Sequence, residues 1–355
     1  MGNKRQTNFE MIRILAMVLI IIHHIFVHSI EPQLSQSDIF EGYEVYDRLM
    51  IVDFARSFGK IGNILFVMLS GYFLIDKKID MAKHTVKILS EMFFATVVFM
   101  LAGAVHLYFQ PVYNVLNLRA FNEDWWFPGY YIVIIFAAWI GLNRYLVDAG
   151  RDKFRIFLIV LFAAISIAWI RNAMSVVGLT TIAMGIFSYM LGGYIKLYNP
   201  LKKLKGIWLF VLIICSLILM GVSYHIYASA NMNAAIATEQ PFYNRDIEGY
   251  LECSLPCIVI SLSLFEAFKR IKCTPSALVN SISSSTFMIY LLHDNRYARD
   301  RFYMFDWLSM IRDENYIGLI SGILIILIVT FVIGILMSKL CNITMKGIRD
   351  KILNL

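Results

Sequence analysis

Apolar residues along this chain come in long runs, not in strict alternation. Ten stretches read as apolar helices: about 10–30, 58–76, 86–108, 128–146, 155–170, 174–197, 207–229, 249–268, 276–293 and 316–338. Most approach the roughly 20 apolar residues a helix needs to cross a hydrocarbon core. The stretch 316–338 is the cleanest. The stretch 276–293 is the weakest, because Ser281, Ser283, Ser284, Ser285 and Thr286 crowd it. The longest loops run to about 20–30 residues, which leaves no room for a separate soluble domain. The pattern predicts an all-α integral membrane protein, a single domain over 1–355 with about ten transmembrane helices.

Composition agrees. Of 355 residues 59% are hydrophobic and 16% charged, and the mean hydropathy is +0.66. A soluble domain carries about 25% charged residues. Charge distribution then adds an orientation. Alternate loops hold 21 of the 32 Lys and Arg residues, the opposite loops hold 10, and Arg13 is the remaining one. The positive-inside rule therefore places both termini in the cytoplasm of a cell membrane, plasma or inner, with an even number of spans. The net charge of +7 follows from this topology, and no basic stripe points to nucleic acid. Five scattered cysteines imply no disulfide framework, and no H-E-x-x-H spacing supports a metal. No small-residue cleavage site follows the first stretch, so a removable signal peptide is not expected.

The first stretch carries the most pointed chemistry. Arg13 and His24 are eleven residues apart, which on an α-helix returns to within about 20° of the same face with a rise of about 16 Å. Ionisable groups at such depth usually face a bundle interior or a wet cavity and mark function. The bland alternative is an Arg snorkelling to headgroups and a His bonded within the bundle. His23 points about 80° away, as a packing or orienting partner, and His28 lies one turn further out. Ser70-Gly71-Tyr72 suits either close helix approach or a site wall. Trp125 and Trp126 read as interfacial anchors or as platforms for a sugar. His293, Asp294, Asn295 and Arg299 form a cluster on the outer, substrate side. Glu252, and less so Glu91, are either interfacial charges or orienters of His24. His84, His106 and His225 lie near segment ends, where a solvated histidine is the ordinary reading.

Four motifs in order carry a family resemblance: Arg13-x10-His24; Leu65-Phe66-Val67-Met68-Leu69-Ser70-Gly71-Tyr72-Phe73-Leu74; Trp126-Phe127-Pro128-Gly129-Tyr130-Tyr131 leading to Asn143; and Tyr290-Leu291-Leu292-His293-Asp294-Asn295. Together they resemble the membrane acyltransferase family of type three, whose members O-acetylate surface glycans from acyl-CoA. The resemblance implies an O-acetyltransferase using acetyl-CoA as co-substrate, with a cell-surface polysaccharide or its lipid-linked precursor as acceptor. Acyl transfer to a hydroxyl needs a base and donors for the thioester oxygen. His24 suits the base and Arg13, on the cytoplasmic side, suits a CoA phosphate. His23, Ser70, Gly71, Tyr72, Trp126, Tyr131, Glu252, Tyr290, His293, Asp294, Asn295 and Arg299 are the candidates to line the site. Two other classes remain open: a proton-coupled secondary transporter, and a membrane sensor or scaffold that needs neither His24 nor Arg13.

Overall fold

The protein is described by a computed structural model covering residues 6–35, 46–109, 125–170, 179–238, 255–295, 298–299, 302 and 304–354. Every regular element among the described residues is helical. Helix α1 (Thr7–Ile25) passes through a π-turn (Phe26–Ile30) into the short α2 (Glu31–Ser35). Long helices α3 (Tyr46–Leu74) and α4 (Met81–Phe109) follow. Helix α5 (Trp126–Ala137) runs through a second π-turn (Ala138–Leu142) into α6 (Asn143–Ile170). Then come α7 (Leu179–Tyr198), α8 (Gly206–Thr238) and α9 (Leu255–Arg270). Two eight-residue helices, α10 (Ala277–Ser284) and α11 (Thr286–His293), precede α12 (Trp307–Arg312) and the last helix, α13 (Tyr316–Leu353).

Helix α3 is the hub, packing on α1 along one side and on α7 along another. Small residues allow the second crossing. A Cβ at Gly71 would lie 1.8 Å from the Tyr189 carbonyl oxygen, and one at Gly192 would lie 2.0 Å from that of Met68. With no hydrophobic drive between helices in lipid, such backbone approach is how they associate. Long apolar side chains on α4, α8 and α13, such as Phe93, Phe210 and Ile328, face outward, as a lipid-exposed surface requires.

Two of the basic loops meet the start of α1 at one end of the bundle. Thr7 Oγ1 donates to the Thr274 carbonyl (3.0 Å) and Asn8 Nδ2 to that of Phe268 (3.2 Å). Lys269 Nζ reaches Asn199 Oδ1 (2.6 Å), and Arg270 caps the carbonyls of Leu204 (2.6 Å) and Leu201 (2.5 Å). The start of α1 and the turns after α7 and α9 are thus neighbours.

Among the described residues, six stretches are each long and apolar enough by themselves to cross a membrane: Thr7–Gln33, Phe54–Leu74, Met81–Ala102, Trp126–Ser166, Gly206–Ile226 and Tyr316–Leu353. That ten runs give six such stretches has physical causes. Segments four and five merge into one 41-residue run. It is not straight, because Gly150 has φ 74°, a conformation that favours glycine. The rings of Tyr145 and Phe157 are 6.1 Å apart across it, whereas twelve residues of straight helix would separate them by about 18 Å. The chain therefore doubles back there. Helix α7 is diluted by Gly, Ser, Thr and Tyr, and α9 has 16 described residues and ends in Glu266, Lys269 and Arg270.

The ninth segment is broken rather than merely weak. Hydroxyls of Ser284, Ser285 and Thr286 donate back to carbonyls of Ser281, Ser281 and Ser283 at 2.8, 3.1 and 2.9 Å. Such local bonds compete with the helical ladder. Ser285, at ψ −4°, separates α10 from α11. Both halves pack on α1.

Candidate active site

The site is built where this broken helix meets α1. His24 is buried on α1, and the helix changes to its π-turn two residues later. Its Nδ1 lies 2.9 Å from His293 Nε2 and 3.4 Å from Asp294 Oδ1. His293 Nδ1 lies 2.8 Å from the Ile289 carbonyl, which can only accept, so this nitrogen carries a proton. In the neutral ring its Nε2 is then an acceptor, and the proton between the two histidines belongs to His24 Nδ1. The lone pair of neutral His24 is left on Nε2. A main-chain carbonyl one turn back in α11 thus sets the tautomer of a side chain on α1.

Residues adjacent on a helix face different ways, yet His293 and Asp294 both reach His24. They do so because α11 ends at His293, and Asp294 leaves the helix at φ −91°, ψ 29°. Arg299 forms a guanidinium–carboxylate pair with the same Asp294 oxygen, Oδ1, that faces His24, and Asn295 accepts at its carbonyl from the Ala298 and Arg299 amides. The His28 ring centroid stands 5.3 Å from that of His24.

About three turns down the same face, Arg13 is half-buried and ion-paired. Its Nη1 lies 2.5 Å from Glu10 Oε2 and 3.2 Å from Ser283 Oγ, and the Ser283 hydroxyl donates to the same Glu10 oxygen. Glu10 was not among the sequence candidates. Its signal was the acid-to-base spacing of three residues on one helix. Ser283 had none, lying 273 positions from Glu10. Between the two ends, Met17 and Ile20 of α1 meet Phe66, Phe127, Phe287 and Tyr290 around a narrow apolar cavity. Near its Arg13 end, Ser70 Oγ and Tyr131 Oη are 3.0 Å apart, with Arg13 in electrostatic range of Tyr131.

Other candidates are placed elsewhere. The His23 ring lies against α3, where a Cβ at Gly59 would stand 2.4 Å from it. Gly71 serves the crossing with α7. Tyr72 belongs to an aromatic group with Phe9 (4.8 Å) and Phe265 (5.5 Å), and Lys196 Nζ sits 5.1 Å from its ring centre. Trp126 is 47% exposed; Trp125 is the inward one, its Nε1 donating to the Leu291 carbonyl at 3.1 Å. Asn143 ties helix ends together, donating to the Leu74 carbonyl (2.8 Å) and accepting from Tyr189 Oη (3.1 Å). Glu91 is buried 3.9 Å from Lys87, close to Cys341 and Arg349 of α13. Glu252 lies outside the described residues.

Ligand atoms of His24, His28 and Asp294 come within 4.8 Å of one another, a spacing a cation could use. Here, however, His24 Nδ1 is engaged with His293, and the Arg299 cation already sits on the carboxylate. The donor set fits a hydrogen-bonded chain better than a metal.

Residues 6–339 match a family model described as an acyltransferase domain, the acyltransferase 3 type. No curated protein and no solved structure matches the chain.

Proposed function

The chain belongs to the acyltransferase 3 family, and from that premise we propose that it moves an acetyl or other short acyl group from acyl-CoA to a hydroxyl of a cell-surface polysaccharide or its lipid-linked precursor. The observation that carries this reading is the chain Ile289 carbonyl–His293–His24. It leaves a proton-accepting nitrogen on a buried histidine, on the helix face that also bears a cation. His24 Nε2 takes the proton of the acceptor hydroxyl as its oxygen attacks the thioester carbonyl. The imidazolium so formed is stabilised through Nδ1 by His293 and the Asp294 carboxylate. It then returns the proton to the leaving CoA sulfur. Arg13 meets a CoA phosphate at the end of the bundle where two basic loops meet the start of α1, and that end faces the cytoplasm, with ten spans and both termini inside.

Purified protein in nanodiscs should transfer label from acetyl-CoA to an acceptor glycan with no ion gradient. Gradient-driven solute uptake without acyl transfer would replace this reading with the secondary carrier. Cysteines at Lys203 and Glu314 should label from opposite sides of the membrane; labelling from one side would overturn the route given to the donor.

A further inference from the structure

Helix α3 carries a cation, Lys60, inside the stretch Phe54–Leu74 that is long and apolar enough to cross a membrane. It lies six residues, about 9 Å, from the start of that stretch. An ionisable side chain at such depth is costly and by default marks a substrate or ion path. Helices α3 and α1 run antiparallel at close range. A Cβ at Gly59 would stand 2.4 Å from the His23 ring, and one at Gly62 would stand 2.8 Å from the Ile20 side chain. By that register Lys60 and Asn63 are level with Leu19–His23, the turn of α1 that leads into His24. Lys60 is also in electrostatic range of the His23 ring.

Between α3, α5 and α7 these two residues wall a cleft together with Tyr130, Thr181 and Ser188. Unlike the apolar cavity along α1, this one has polar atoms on its wall. Its free space is about 20 Å³, enough for one small group and too little for a sugar ring. The Ser188 hydroxyl donates to the Met184 carbonyl (2.8 Å), so its oxygen is left to accept. Asn63 brings the unexplained atom. Its Oδ1 is buried and meets no hydrogen-bond partner, whereas buried polar groups are nearly always satisfied. Turning the amide over exchanges its oxygen and its NH₂, so the side chain can offer the cleft an acceptor or two donors. A cation, an adaptable amide and hydroxyls around so small a space suit an anionic group with a hydroxyl beside it.

We propose that this cleft holds an anionic group of the acceptor, its charge on Lys60 and a neighbouring hydroxyl on Asn63, and so presents the acceptor at the depth of His24. The rest of the acceptor stays outside the cleft. For the origin of its ligand this rests on the glycan reading above. Two sources carry the same chemistry: the carboxylate of an acidic sugar, and the phosphate that joins a precursor sugar to its lipid. A lysine ammonium is a compact point charge and holds either.

The test is direct binding to the full-length protein in nanodiscs, followed by ligand-detected NMR with glucuronate, glucose 1-phosphate and glucose as probes. Wild-type protein should bind an anionic probe about 10-fold or more tightly than glucose, and the tighter of the two anions identifies the source. Lys60→Met keeps the length without the charge and should bring the anions down to the level of glucose. Lys60→Arg should retain the preference. Asn63→Leu keeps the volume without the amide, and should weaken the anionic probe about 5-fold while its advantage over glucose remains. Acetyl-CoA binding to the same preparations should be unchanged, which checks the fold of each variant. Equal binding of all three probes to wild-type protein, or a preference that survives Lys60→Met, overturns the proposal. Protein that binds an anion through Lys60 yet transfers no acyl group would sink the acyl-transfer reading instead, and leave the anion site in place.

Discussion

The two ends of α1 present nitrogen groups of opposite chemistry on one helix face, a neutral imidazole and a permanent guanidinium cation, in opposite settings. At the end that the proposed topology makes the outer one, His24 is buried, and its hydrogen bonds run through His293 to a main-chain carbonyl. At the inner end Arg13 is half-buried and held by one carboxylate and one hydroxyl. A buried chain leaves little freedom, which suits a group that must keep one tautomer and one direction. A partly exposed ion pair is worth only about 0.2–1 kcal/mol, so an incoming anion can compete for the guanidinium. One end is arranged for chemistry and the other for exchange. Both are completed by the same broken helix, Ser283 from α10 serving the inner end and His293 with Asp294 from α11 serving the outer.

Breaking the outer end should have the largest effect. His24→Ala removes proton transfer in the transition state, and turnover should fall roughly 10²–10⁴-fold. Acetyl-CoA binding, measured by calorimetry on the same preparation, should be unchanged, since Arg13, the proposed donor contact, lies about 16 Å away. Full activity in that variant would end the assignment of the base.

Breaking the inner end should move the other quantity. A hydrogen-bonded charge is worth about 1.5–3 kcal/mol, so Arg13→Ala should weaken acetyl-CoA binding about 10- to 150-fold while the rate at saturation changes less. Arg13→Lys, which keeps the charge and loses the planar fork, should fall between. Unchanged donor affinity in Arg13→Ala would remove the cation from donor binding.

Two milder variants sharpen the contrast. In His293→Ala the His24 Nδ1 proton can turn to Asp294 Oδ1, now 3.4 Å away. One hydrogen bond worth about 1 kcal/mol predicts a loss of about 5-fold in turnover. A loss as deep as that of His24→Ala would show that His293 takes a direct part. Glu10→Gln keeps an acceptor for Ser283 and discharges the competitor of the incoming phosphate. Acetyl-CoA should then bind about 2- to 5-fold more tightly, the weight of an ion pair with one partly exposed partner. Weaker binding would mean that the carboxylate is needed to aim the guanidinium.

Much of this was legible in the chain because it is local. Apolar runs predict helices wherever they occur, and the described part of each of the ten runs is helical, although among the described residues six stretches meet the length and hydropathy needed to span. The eleven-residue interval between Arg13 and His24 fixes a shared face through the helical period alone. The serine crowding of 276–293 marked a weak segment, and the hydroxyl–carbonyl bonds that break it span three or four residues. Even Glu10 was readable, three positions before Arg13.

What tertiary structure alone decided is which distant groups complete each end. His24 and His293 are 269 positions apart, Arg13 and Ser283 are 270, and no periodicity constrains such a pair. The cluster at 293–299 was read as substrate-side; that the end of α11 turns two of its residues onto His24 depends on where a helix stops. Which tryptophan of Trp125-Trp126 faces inward, and that segments four and five meet at the Gly150 reversal, are likewise settled by packing. Composition and period are properties of neighbouring residues and survive without a fold. A tautomer, an ion-pair partner and a cavity wall exist only once helices far apart in sequence have been brought together.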